Sequence, residues 1–395
     1  MGNVSGVRAP FRVRRRAALA AAVLALMATA CPADDGADVR TVEGSAGSVS
    51  GSASGVAPGS GSGSGSGSAS GVAPGATGTG LGGYKPGSDV IALANVSQEA
   101  CDLAGLLPEG RPPDFAAAAA LYGRAPSPAP SPGTAPRTLK ALATDTAEGP
   151  TRDIYAGHFR DPAWLDTYAA GALAGTGAFA GLPDGVRREA VLGAVRNQIP
   201  LSAMFHALDT ARVKIRGPGN VLPGTGAPRF VDEAWALFRG ANASCAPFAV
   251  GELTGGAFGT GTTLNDRIRN QMLSAQAASL SGQATRLAAA ADEIARLVTI
   301  VNVQAVLRAA AEMDQATAAA DAAGAQVRRA RGNAAFRAIE ALVAKADPQA
   351  ARTVAAAFDV RSQPDAGAGA RAVTALGGAY AKLAIDPLEV GTLGG

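Results

Sequence analysis

The stretch Leu287–Val303 (LAAAADEIARLVTIVNV) decides the fold class of this chain of 395 residues. Its apolar side chains recur at helical spacing, and no proline occurs over about 100 residues between Pro247 and Pro348. This span is rich in alanine, leucine, glutamine, arginine and glutamate, which favour helices, and the apolar pattern returns at Phe336–Val343. Strand patterns with a period of two residues are scarce. We therefore predict an all-α protein whose long helices pack as one or two helical bundles.

Shorter helices are predicted on both sides of this span. Capping residues and apolar spacing place them at 89–107, 112–122, 139–146, 162–173, 183–214, 231–238, 349–360 and 371–383. Pro200 lies inside the helix predicted at 183–214. It should kink or interrupt that helix, because proline has no N–H to donate and its ring crowds the preceding turn.

The N-terminal residues have the pattern of an export signal. Arginines cluster at 8–16, and the apolar run Ala17–Ala30 of 14 residues follows. A membrane-spanning helix needs about 20 apolar residues, so residues 1–30 are predicted to be a cleaved signal peptide. Ala28–Ala30 is an A-x-A cleavage site, and Cys31 directly after it also fits the lipid-carrying cysteine of a bacterial lipoprotein. We favour a lipid anchor at Cys31 in the cell envelope, with soluble secretion as the alternative.

Residues 31–83 are predicted to be a disordered tether. Residues 44–83 are almost all glycine, serine, alanine, valine, proline and threonine, and GSASGVAPG occurs at 51–59 and again at 67–75. Such a segment has no side chains able to bury a core. The helical domain is therefore assigned to residues 84–395, held at a distance from a membrane or wall surface.

Composition and charge argue against several classes of function. The formal net charge is +3 and becomes −2 without the five arginines of the export signal, which leaves no basic surface for nucleic acid. Two histidines cannot form a multi-histidine metal site. The common nucleotide-binding, zinc-peptidase and serine-hydrolase motifs do not occur in any segment that could form a site. We expect a binding protein and not an enzyme.

Two cysteines remain if Cys31 carries lipid. Cys101 and Cys245 would then face the oxidising environment outside the cytoplasm. A disulfide bond between them is expected, and two buried free thiols are the alternative.

The pair His206 and Asp209 is the first candidate for a metal ligand. The two residues lie three positions apart on the predicted helix, so they share one face. An imidazole and a carboxylate at such spacing can reach one metal ion, as E-x-x-H pairs do in bundle cores. The alternative is a local hydrogen bond on the helix surface.

Other acidic and phenolic side chains are further candidates. Asp232 and Glu233 are adjacent carboxylates within the aromatic and apolar run FVDEAWALF at 230–238. They are costly beside buried aromatic rings unless they are paired or bind a cation, although Asp232 could instead cap a helix. Tyr155, close to His158, has a ligand type suited to ferric iron, and Glu252 is a lone candidate.

The stretch from 197 to 253 resembles the low-iron-inducible periplasmic protein family of algal iron-assimilation proteins and bacterial relatives. The matching pieces are NQI at 197–199, HALDTA at 206–211, VDEAWALF at 231–238 and CAPFA at 245–249. This resemblance implies an extracytoplasmic protein that binds ferric iron, together with carbonate as in related phytotransferrin-type proteins. It also implies a transporter or receptor that would receive the iron.

Two alternative functions remain open at this point. The HALD segment is also similar to the H-x-x-E motif of imelysin-like proteins, which implies a metal-dependent peptidase with Glu233 or Asp209 as general base. The alanine-rich helices and the long tether are equally compatible with a structural or partner-binding lipoprotein that holds no metal.

Overall fold

The computed structural model describes residues 80–124, 138–147, 149–217, 220–363 and 365–394. The predicted signal peptide, the predicted lipid-attachment residue Cys31 and the predicted tether as far as residue 79 lie outside these ranges. Helices make up the described residues almost throughout, and among these residues the only β pairing is an isolated bridge between Leu81 and Tyr84. The predicted all-α class is therefore confirmed.

The helices follow one another with short connections. The first seven are α1 (Ile91–Ala94), α2 (Val96–Leu106), α3 (Phe115–Tyr122), α4 (Leu139–Thr144), α5 (Pro150–Phe159), α6 (Trp164–Ala174) and α7 (Asp184–Gly193). The next five are α8 (Ile199–Lys214), α9 (Ala227–Arg239), α10 (Pro247–Ala257), α11 (Thr263–Leu280) and α12 (Ala284–Ala318). The last five are α13 (Ala322–Arg337), α14 (Glu340–Ala346), α15 (Pro348–Ala357), α16 (Ala368–Ala379) and α17 (Pro387–Val390).

Helix α12 is the central element, and it contains the stretch that decided the fold class. Its 35 residues correspond to about 50 Å at the rise of an α-helix, and it packs against α10, α11, α13 and α16. By length and composition alone α12 could cross a membrane, but 67% of its most apolar window is buried inside the protein. Burial on several sides explains why its apolar residues extend beyond a single stripe.

The helices enclose two hydrophobic cores. The larger core combines side chains from α8, α9, α11, α12, α13, α15 and α16. The smaller core is built mainly from α2 to α7 and includes Cys245. A disulfide bond joins Cys101 of α2 to Cys245, with the two Cα atoms 5.3 Å apart. It therefore ties α2 to the segment between α9 and α10.

The helix predicted at 183–214 runs from Asp184 to Lys214 with a π-helical turn at Ala194–Gln198. The interruption predicted at Pro200 takes this form, because a wider turn accommodates the missing N–H and the proline ring without ending the helix. Gly193 precedes the turn where α7 and α13 pack closely. A Cβ atom on Gly193 would lie 2.4 Å from the Cβ of Ala334, so only glycine permits this approach.

The C-terminal helix α17 is fixed to the long helices by charge. Glu389 accepts hydrogen bonds from Arg267 of α11, at 2.5 Å, and from Arg296 of α12. These arginines hold the pKa of Glu389 well below its usual range, at about 2, against the opposing effect of burial. A second link joins Gln304 of α12 to α17, since its Nε2 donates to the carbonyl of Val390 at 2.7 Å.

Candidate functional site

His206 and Asp209 lie together at the start of α5. The Oδ2 atom of Asp209 accepts a hydrogen bond of 2.9 Å from the backbone N–H of Thr151 in the first turn of that helix. Asp209 thus caps α5 from a distant helix, an arrangement that the helix dipole favours. A Cβ atom on Gly149 would lie 3.2 Å from His206 Nδ1 and 3.8 Å from Asp209 Oδ2. Both side chains therefore approach one glycine, which leaves room for them.

The imidazole of this pair has an unused nitrogen. His206 Nδ1 is buried and forms no hydrogen bond within the described part of the chain. A buried polar atom without a partner costs about 1–3 kcal/mol, so it needs an explanation. An unpartnered imidazole nitrogen beside a carboxylate oxygen is a donor set that binds iron and other transition metals.

Asp232 is the best-connected carboxylate of the described residues. It is fully buried on α9, and its two oxygens accept four hydrogen bonds. Oδ1 accepts from the hydroxyl of Tyr84 at 2.6 Å and from Nε2 of Gln276 at 2.8 Å. Oδ2 accepts from the backbone N–H groups of Gly87 and Ser88, both at 2.9 Å. These contacts fasten residues 84–88 to the centre of the protein.

The segment around Tyr84 is anchored at a second point. The indole nitrogen of Trp235 donates to the carbonyl oxygen of Leu81 at 2.8 Å, and the rings of Tyr84 and Trp235 are 5.5 Å apart. Burial, and then the charge of Asp232, raise the pKa of Tyr84 far above its usual range. Tyr84 therefore remains a hydrogen-bond donor to Asp232 at any physiological pH.

Glu233 faces away from Asp232 and has its own partner. Only 7% of it is exposed, and Nε of Arg229, one turn earlier on α9, donates to it at 2.9 Å. Adjacent helical residues point about 100° apart, so the two carboxylates do not converge on one point.

Tyr155 is part of an aromatic cluster in the smaller core. Its hydroxyl donates to the carbonyl of Ala338 at 2.5 Å, and its ring stacks on Trp164 with 5.1 Å between centroids. Burial raises the pKa of this phenol far above its usual range, which opposes the deprotonation needed for iron ligation. The nearby His158 pairs with Glu340 at 3.1 Å.

The predicted ligands therefore fall in separate places. Glu252 is exposed on α10, and among the predicted residues only His206 and Asp209 come together. Within the described ranges, no three or more histidine, cysteine, aspartate or glutamate side chains form a group arranged to hold a metal ion.

A charged cleft is the feature that sequence reasoning missed. It has a volume of about 400 Å³ and lies between α7, the π-helical turn, α10, α12 and α13. Its charged wall carries Arg188, Arg196, Arg308 and Arg331, and its apolar wall carries alanines, Val250 and Leu253. Three separate segments of the chain supply the arginines, so no local sequence pattern predicts the cleft.

Comparison with known protein families gives a match over most of the chain. A model of the low iron-inducible periplasmic proteins matches residues 62–361. The chain belongs to this family. The match spans the His206–Asp209 pair, Asp232, the cleft and both disulfide cysteines, and it confirms the family resemblance carried by the 197–253 segment. Neither the curated proteins nor the solved structures contain a match to this chain.

Proposed function

We propose that this member of the low iron-inducible periplasmic protein family binds iron outside the cytoplasm and takes part in iron acquisition without catalysing a reaction. The family description refers to induction by low iron and to the periplasm. The disulfide between Cys101 and Cys245 suits an oxidising compartment of that kind. A lipid anchor at Cys31 would keep the protein at the envelope and near the transporter or receptor that takes over the iron.

The observation that carries the proposal is the convergence of His206 and Asp209. The buried, unpartnered Nδ1 of His206 and the Asp209 carboxylate approach the same glycine. One nitrogen and one oxygen donor leave other coordination positions of ferric iron for an anion or water, and carbonate is the anion that the family resemblance implies. The four hydrogen bonds already accepted by Asp232 favour the His206–Asp209 pair over Asp232 as the place for iron.

Substitution of the pair tests this assignment. We expect His206→Ala and Asp209→Asn each to weaken ferric iron binding at least tenfold in titrations with bicarbonate, because each removes a ligand or its charge. The amide oxygen introduced by Asp209→Asn can still accept from the N–H of Thr151, so this variant without metal should keep nearly the wild-type melting temperature. The exposed Glu252→Gln is the matched control and should leave the affinity unchanged. Full iron affinity in both pair variants would refute this site.

A further inference from the structure

The charged cleft contains one arginine that forms no ion pair with any described residue. Arg188 pairs with Glu189 at 2.5 Å and Arg308 pairs with Glu312 at 2.7 Å. Arg331 forms ion pairs with both of these glutamates, at 3.0 Å to Glu189 and 3.1 Å to Glu312. The exposed Glu109 lies 3.9 Å from Arg188. Three arginines thus share three carboxylates, and the fourth arginine of the cleft is left over.

That fourth arginine is Arg196 of the π-helical turn. It has no ion pair within the described residues, and its Nε is buried without a hydrogen-bond partner. Burial, followed by the repulsion from Arg188, lowers the pKa of Arg196 against the smaller, opposing attraction of Glu189, so the free protein holds this cation at a cost. A positive charge kept in a cleft at a cost is typical of a site prepared for an anion.

The residue after Arg196 also has a buried polar atom without a hydrogen-bond partner. Asn197 also lines the cleft and is only 5% exposed. Its Nδ2 donates to Asn302 Oδ1 at 2.7 Å, whereas its own Oδ1 is buried without a partner. The π-helical turn therefore supplies two cleft-lining residues that each have a buried polar atom without a partner, and such turns are frequent at functional sites.

Another part of the cleft lining is apolar. Ala249, Val250 and Leu253 of α10 and Ala305 and Ala309 of α12 form this apolar part. Leu253 is 62% exposed although it is a large aliphatic side chain. A ligand with an apolar body would cover it, and the cleft volume of about 400 Å³ lies within the usual range for small-molecule sites.

From this combination we propose that the cleft binds a small organic anion, with its carboxylate on Arg196 and its apolar body against α10. The guanidinium would bind the carboxylate in the geometry that arginine prefers. The site contains none of the residues proposed for iron and needs no iron, so each proposal can be tested and refuted independently of the other.

Calorimetric titration of the purified chain, free of iron and of organic acids, tests the proposal with phenylacetate as probe. We expect saturable binding of one phenylacetate per chain. The uncharged 2-phenylethanol and inorganic phosphate, which lacks an apolar body, should each bind at least tenfold more weakly. Absence of phenylacetate binding, or equal binding of 2-phenylethanol, would overturn the proposal.

Variants locate the site. Arg196→Gln should weaken phenylacetate binding about tenfold or more, as expected for loss of one charged hydrogen-bonding partner, while Arg196→Lys should retain part of the affinity. Leu253→Ser tests the apolar wall, remains informative if the arginine variants fold poorly, and should also weaken binding. Arg286→Gln, on an exposed part of α12 about 30 Å along the helix from the cleft, is the control and should bind as the wild type does. Unchanged affinity in both Arg196→Gln and Leu253→Ser would refute the assignment to this cleft.

Discussion

Replacing Asp232 should destabilise the whole helical domain. Asp232→Ala removes a fully buried carboxylate and leaves four donors without an acceptor: the Tyr84 hydroxyl, the Gln276 amide and the backbone N–H groups of Gly87 and Ser88. Removing one partner from a buried charged network typically costs about 3–5 kcal/mol, so we expect a loss of about 4 kcal/mol in the free energy of unfolding. Domains of this kind are stable by about 5–15 kcal/mol in total.

Asp232→Asn gives a graded version of the same test. The asparagine keeps the shape of the side chain, but its NH₂ group must replace either Oδ1 or Oδ2. With the NH₂ group at the position of Oδ2, the backbone N–H groups of Gly87 and Ser88 both lose their acceptor. With the NH₂ group at the position of Oδ1, only the Gln276 amide does, because the Tyr84 hydroxyl can turn and accept. We expect about half the loss, about 2 kcal/mol, because at least two hydrogen bonds are preserved.

Urea unfolding measured by tryptophan fluorescence and by far-ultraviolet circular dichroism would give these free energies. Trp235 is buried against Tyr84 and Trp164 lies in the smaller core, so the fluorescence reports on both cores, including the segment held by Asp232. Glu252→Gln, at an exposed carboxylate, is the control and should change stability by less than about 0.5 kcal/mol. A loss below about 1 kcal/mol for Asp232→Ala would contradict the structural role of this carboxylate.

Two further perturbations address links between distant segments. Replacing Cys101 and Cys245 by alanine opens a loop closed across 144 residues. The chain-entropy relation then predicts a loss of about 5 kcal/mol in the free energy of unfolding. A wild-type melting temperature that is the same with and without reductant would argue against the disulfide bond. The pKa of Glu389 in the folded protein, about 2, lies below its value in the unfolded chain. Its ion pairs therefore stabilise the folded state fully above about pH 5, and this stabilisation is lost as the pH falls toward 2. Glu389→Gln should remove this pH-dependent contribution to the free energy of unfolding, which is about 1 kcal/mol because the site is partly open to solvent. Unfolding measured from pH 7 to pH 2 tests this. If the free energy of unfolding depends on pH in the same way in the variant, Glu389 does not stabilise the fold through Arg267 and Arg296.

The helical class could be predicted because its evidence is local. Apolar spacing and the absence of proline in the span containing Leu287–Val303 are properties of neighbouring residues, and α12 forms there. The side chain of Asp114 caps α3, as its position before an alanine run indicates. The convergence of His206 and Asp209 was also accessible, because residues three apart on a helix share a face.

The role of Asp232 and the existence of the charged cleft depend on contacts between residues far apart in the sequence. Asp232 could be interpreted as a metal ligand or as a helix cap, but its partners Tyr84, Gly87 and Ser88 lie more than 140 residues earlier in the chain. The charged cleft depends in the same way on the packing of α7, α12 and α13, which sets arginines from three segments side by side. No spacing rule within one segment contains that information.

Metal analysis tests the central claim most directly. The full chain would be purified without chelator, its iron content measured, and its melting temperature compared with and without ferric iron plus bicarbonate. The proposed function predicts close to one iron per chain and a higher melting temperature on iron addition, because a ligand that binds only the folded state stabilises it. A metal-free protein whose melting temperature does not respond to iron would contradict the proposal and favour a partner-binding lipoprotein.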